Sequence, residues 1–110
     1  MVDKMLMLKD AVKPTHASVT NEIRSLLVNL NVFHWKQWQG PMSQPNGVSD
    51  ILGIYRGRPL AIEVKGPNGT PTKAQVEFLL RWKQEGGIAI IAHSVDDVIE
   101  ELGLQERFER

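Results

Sequence analysis

The chain has 110 residues, 42% of them hydrophobic and 24% charged, and its thirteen basic residues balance thirteen acidic ones. That length and balance describe one globular domain able to bury its own core, and exclude a disordered polyelectrolyte or a partner recruited by global charge. The sequence has no cysteine, which removes disulfides, thiolate nucleophiles and thiolate metal sites and leaves oxygen and imidazole as metal ligands.

Residues 1–17, MVDKMLMLKDAVKPTHA, show no sustained period and include Pro14, which predicts an N-terminal arm ahead of a single domain at 18–110. The apolar MLML is too short for a signal segment or a membrane span, so the expected location is cytoplasmic, with no membrane partner. From Ser18, with Ser18 or Thr20 as cap, Ile23, Leu26, Leu27 and Leu30 recur at helical spacing and predict an amphipathic helix. NVFHWKQWQ at 31–39 reads as a strand, its tryptophans expected in the core, and GPMSQPNG as the loop after it. ILGIY and RPLAIEVK follow as two apolar strands, central rather than at an edge. GPNGTPT ends the pairing, and Thr72 with Gln75 forms a capping box opening a helix whose core stripe is Val76, Leu79 and Leu80, stopped by Gly86-Gly87. IAIIAH reads as a buried strand, and Ser94 caps a last helix carrying Val98, Ile99 and Leu102. The order α-β-β-β-α-β-α is an α/β pattern: a mixed β-sheet flanked by helices, the last strand joining in parallel through a right-handed crossover.

Strand alternation in PLAIEVK puts Glu63 and Lys65 on one face and Leu60, Ile62 and Val64 on the other. The place of Asp50 depends on the turn. A two-residue turn at Arg56-Gly57 sets Tyr55 against Arg58 and Asp50 directly opposite Glu63, whereas a three-residue turn sets Asp50 opposite Val64 and disperses the charges. Two carboxylates facing each other destabilise a sheet unless a cation lies between them. A hard cation such as Mg²⁺ accepts such a set together with a backbone carbonyl. The ordinary alternative is a solvated strand face for Glu63 and Lys65 and a turn residue in Asp50.

Asp50, twelve intervening residues and then Glu63-Val64-Lys65 resembles the D…(D/E)-x-K signature of the PD-(D/E)XK nuclease superfamily. Glu22-Ile23 on the first helix, GVSDILG, AIEVKGPNG and the helix opened by TKAQ are similar to the VRR-NUC family of virus-type replication-repair nucleases, over residues 18 to about 102. Val48-Ser49 stands where a proline often precedes the aspartate. The resemblance implies a restriction-endonuclease-like core and a metal-dependent DNA endonuclease that hydrolyses phosphodiester bonds. Asp50, Glu63, the carbonyl of Val64 and Glu22 would surround Mg²⁺ or Mn²⁺, with Lys65 near the attacking water or the scissile phosphate and Gln75 beside the site. Glu22 equally fits an ordinary acid near a helix N-terminus, and Gln75 its capping box. Stand-alone members imply a homodimer that cuts branched DNA such as Holliday junctions in DNA repair. The alternatives are a flap or duplex nuclease of phage replication and a non-catalytic DNA-binding module.

His16, His34 and His93 lack ligand spacing and are left out of the metal site. Lys36, Arg56, Arg58, Lys73, Arg81 and Lys83 are surface charges that would matter to phosphates only as a cluster.

Overall fold

The computed structural model describes residues 14–38 and 47–105. Seven elements follow in chain order: α1 (His16–Asn29), β1 (Phe33–Lys36), β2 (Ile51–Tyr55), β3 (Arg58–Val64), α2 (Lys73–Gln84), β4 (Ile88–Ala92) and α3 (Val95–Glu101). The element order and the mixed sheet are those expected from the sequence. The four strands lie in the order β1-β2-β3-β4, antiparallel across the first three, with β4 parallel to β3. Most of the expected N-terminal arm and the loop at 39–46 lie outside the described residues. Among the described residues no helix is long and apolar enough to cross a membrane.

Helix α1 begins at His16, ahead of the expected start at Ser18. The cap is Thr15: its hydroxyl accepts the Ser18 N–H at 3.1 Å while Ser18 Oγ accepts the Thr15 N–H at 2.8 Å. This reciprocal box satisfies two orphan donors at once, so it outcompetes a cap at Ser18, and Thr20 instead donates its hydroxyl back to the His16 carbonyl. At the other end of the fold Ser94 occupies the N-cap of α3 without a side-chain bond. The carboxylate of Asp97 turns back there and accepts the His93 N–H at 2.8 Å.

The main core lies on one face of the sheet. Val19, Ile23, Leu26 and Leu27 of α1 and Val98 of α3 pack against Ile51, Leu60, Ile62, Val64, Ile90 and Ala92, the alternate residues of three strands. Among the described residues, the other face is covered by α2 alone, which packs on β3 and β4. There the expected stripe holds in part. Leu79 is buried, but Val76 and Leu80 are exposed, because β4 is the edge of the sheet and they hang beside it over Ile91. Trp82 holds the helix down by donating its indole N–H to the Pro59 carbonyl.

The tryptophans expected in the core are not there. Trp35 is 43% exposed, Trp38 is exposed beyond the strand, and Phe33 beside Trp35 is 71% exposed. The reason is positional: β1 is the opposite edge strand, and α2 sits over β3 and β4 rather than over β1 and β2.

The hairpin adopts the two-residue turn. Tyr55 pairs with Arg58 and Ile51 with Ile62, and Arg56 and Gly57 take φ values of 50° and 80°. Left-handed conformations at both positions match the twist of the flanking strands. Gly57 has open space around it, so only backbone conformation favours glycine there.

Gly47 is different. It combines φ +88° with a close approach: a Cβ would meet the backbone of Ala74 and, at 2.9 Å, the Gln75 nitrogen. Gly47 thus lets the segment leading to Asp50 lie directly on the first turn of α2. Gly57→Ala is expected to cost about 1–2 kcal/mol, the usual penalty of a left-handed L-residue. Gly47→Ala should cost more, since backbone must move as well as strain. Urea denaturation of the two variants checks the ranking, and equal losses would contradict the packing account.

Candidate metal centre

The site is assembled where β3 and β4 end and β2 begins. Asp50 is one residue ahead of β2, and extending the Ile51 to Ile62 pairing by one step sets it opposite Glu63. Its backbone is fixed by the Gln37 N–H, which donates to the Asp50 carbonyl at 2.7 Å. Its side chain crosses to the neighbouring strand, where Oδ2 accepts the Val64 N–H at 2.8 Å. That bond orients one carboxylate oxygen by backbone alone.

Glu63 is the unusual member. It is 2% exposed, on an inner strand covered on both faces, and its Oε1 has no hydrogen-bond partner. The other oxygen, Oε2, lies 4.0 Å from Lys65 Nζ, whose side chain is itself mostly buried. Burial pushes the Glu63 carboxyl up to about 9. The Asp50 carboxylate adds to this, by hydrogen bonding the protonated form and repelling the ionised one, and Lys65 opposes it.

Two facing carboxylates, one with a buried oxygen that no protein group satisfies, are a donor set short of a positive partner. A divalent cation would fit that need, and the Val64 N–H bonded to Asp50 Oδ2 puts the backbone of that residue beside the pair. Among the described residues no three His, Cys, Asp or Glu side chains converge on one point.

Of the residues singled out in the sequence, Asp50, Glu63, Val64 and Lys65 are brought together. Gln75 makes the capping box: its Oε1 accepts the Thr72 N–H at 2.8 Å and its own N–H donates to Thr72 Oγ1 at 3.2 Å. Its backbone lies under Gly47, so it supports the approach to Asp50 from behind. Glu22 is exposed on α1 and makes no ion pair or hydrogen bond with Asp50 or Glu63.

A residue left out on spacing is in contact instead. His16, the first residue of α1, places Nε2 3.6 Å from Asp50 Oδ2. The clue in the sequence was the Thr15-x-x-Ser18 box, which starts the helix at His16 and so puts that residue in its first turn. His93, one step past the Val64 to Ala92 pair, bonds the Gly69 carbonyl through Nε2 at 2.9 Å and closes the loop that follows Lys65. His34 bonds the Val32 carbonyl on the edge strand and is not part of the site.

Among the described residues, Arg56, Arg58 and Lys83 line one groove together with Glu101, away from the two acids. Arg56 and Arg58 sit at the hairpin tip, the far end of β2 from Asp50, where Arg56 lies over the Tyr55 ring and Arg58 Nε donates to the Gly86 carbonyl at 3.2 Å. Arg81 pairs with Glu85 at 2.9 Å and Lys73 with Glu77 at 4.0 Å, each one turn along α2.

No protein-family model matches the chain, and no curated protein matches it at significant similarity.

The raised Glu63 pKa makes stability depend on pH. The native state holds a proton that the unfolded chain releases near 4.5, so this stabilisation is complete below pH 4.5 and is lost as pH rises through about 9. In a chelator, unfolding free energy should fall across that window by at most about 1.4 kcal/mol per pH unit. Glu63→Gln should flatten the fall and raise stability at pH 8. Thermal melts of both proteins from pH 5 to 9 test this; parallel curves would mean that Glu63 is not the group responsible.

Proposed function

We propose that the protein is a metal-dependent DNA endonuclease, related to the VRR-NUC branch of the PD-(D/E)XK nucleases, on a restriction-endonuclease-like core. The observation that carries this reading is the pairing of Asp50 with the buried, partnerless oxygen of Glu63, with Lys65 on the same face of the same strand. A structural ion pair would satisfy both oxygens of a buried acid; this arrangement leaves one open.

Asp50, Glu63 and the Val64 carbonyl would hold Mg²⁺ or Mn²⁺, which when bound supplies Lewis-acid polarisation of a phosphodiester and of the water that attacks it. The chain's own residues do the rest. The Val64 N–H keeps Asp50 aimed at the centre, and the apolar sheet around Glu63 excludes bulk water and strengthens every charge interaction there. Lys65 is held within 4.0 Å of Glu63, where its ammonium balances negative charge that develops on a phosphate in the transition state. Val64 acts through its backbone, so its side chain is free to pack into the core.

The substrate in this reading is branched DNA, with Holliday junctions cut by a homodimer whose two-fold axis relates the paired incisions. The exposed Phe33, Trp35 and Ile54, on the half of the sheet that α2 leaves open, supply apolar surface for such an assembly.

Asp50→Ala, Glu63→Ala and Lys65→Ala should each lower cleavage by at least about a hundredfold while circular dichroism stays native. The assay pairs purified protein and Mg²⁺ or Mn²⁺ with matched junction, flap, single-stranded and duplex DNAs. Full activity in either carboxylate variant overturns the nuclease reading. Junctions cut no faster than linear duplex overturn only the substrate.

A further inference from the structure

We infer that the groove at the hairpin end of the sheet is a second binding site, one that takes a phosphomonoester carried on an organic body, as in a nucleoside monophosphate. The groove lies at the opposite end of β2 from Asp50 and is independent of the metal centre.

Three observations carry it. First, the groove has the size and make-up of a small-ligand site. It encloses about 440 Å³, and its cations stand beside Tyr55, Ile88 and Leu102, partly buried side chains that pack against the core. Secondly, its charge is one-sided. Arg56, Arg58 and Lys83 share the groove with one acid, Glu101, and three cations against one carboxylate leave two positive charges. Among the described residues none of these three cations has a carboxylate within 4.0 Å, whereas Lys73 and Arg81, on the same helix as Lys83, each pair with a glutamate one turn along. The chain is neutral overall, so the surplus is local. Thirdly, two of the cations are held before any ligand arrives. Arg58 donates Nε–H to the Gly86 carbonyl at 3.2 Å and Nη2–H to the Gly87 carbonyl at 3.5 Å, which fixes the guanidinium plane and leaves the rest of its N–H fork for an oxyanion. Arg56 lies over the Tyr55 ring, 5.3 Å from its centroid.

A phosphomonoester carries about two negative charges near neutral pH, which matches the surplus, and its oxygens suit the guanidinium fork. A carboxylate or a phosphodiester, with a single charge, leaves part of that surplus uncompensated. The apolar side chains of the groove then cover the body to which the phosphate is attached.

The test is calorimetry on the full chain at low salt, in a metal chelator, with deoxyadenosine monophosphate, deoxyadenosine, inorganic phosphate and a short single-stranded oligonucleotide with and without a terminal phosphate. The monophosphate should bind at least about tenfold more tightly than deoxyadenosine or inorganic phosphate. Arg56→Gln and Lys83→Gln, both at exposed positions, should each weaken it about tenfold, the scale of one charge-assisted hydrogen bond, and Glu101→Gln should tighten it. In wild-type protein the methyl resonances of Ile88 and Leu102 should shift on adding the monophosphate, a measurement that needs no variant to fold. A phosphorylated oligonucleotide that outbinds the monophosphate makes a strand end the source of the phosphate, and the reverse makes it a free nucleotide; either supports the shared chemistry. Deoxyadenosine or inorganic phosphate binding as tightly as the monophosphate, unchanged affinity in both glutamine variants, or unmoved methyl resonances overturns the inference. The chelator keeps Asp50 and Glu63 free of metal, so each of these failures leaves the nuclease reading standing.

Discussion

The register of one hairpin governs the molecule. Arg56 and Gly57 both adopt left-handed conformations, which closes the turn in two residues and pairs Tyr55 with Arg58. Because side chains alternate with a period of two, that choice sends Ile51, Leu60, Ile62 and Val64 into the core with α1 and α3, and sends Asp50 and Glu63 to the opposite face. A slip of one residue would bury the acids in the main core and expose the isoleucines. The hydrophobic packing of one face therefore enforces the juxtaposition of charges on the other, and stability and site are set by the same constraint.

The two faces are built to different standards. One is covered by two helices and densely apolar; among the described residues the other carries α2 alone, which rests on β3 and β4 through Leu79 and Trp82 and does not reach the outer half of the sheet. Glu63 sits under the covered part and Asp50 at its margin, so the pair combines a buried acid with an approach from the surface. Burial holds Glu63 protonated well above the usual carboxylate range, which costs stability as pH rises and which a bound dication would offset. The strand ends that carry the site also meet the first turns of α1 and α2, where helix dipoles favour negative charge. Acids at these ends are more easily borne than they would be at the middle of the sheet.

Much of this was legible in the chain. Helical spacing located the cores of α1 and α3, the Thr72–Gln75 box located the start of α2, and the Arg56-Gly57 pair offered one of two turns, the one that places Asp50 against Glu63 and that the structure adopts. These are local signals, each decided within a few residues by backbone conformation, capping and alternation. Where several local readings competed, as at Ser18 against Thr15, the one that satisfied more backbone groups prevailed.

What stayed hidden depended on which elements come to lie together. Nothing within β1 says that it is an edge strand beyond the reach of α2, so the exposure of Phe33 and Trp35 follows from sheet order alone. The same holds for Leu80, apolar at a helical core position yet left outside because, among the described residues, no strand lies beyond β4. His16 and Asp50 are far apart in sequence and meet because α1 packs its apolar stripe on the sheet with its first turn at the end where β2 begins. The sequence by itself determined the elements and reduced the hairpin to two registers, since both are fixed by short-range geometry. Only the structure decided which register sets Asp50 against Glu63, which imidazole lies beside Asp50, which acid stays away and which apolar side chains stay in water, because no single local pattern encodes how the elements pair and pack.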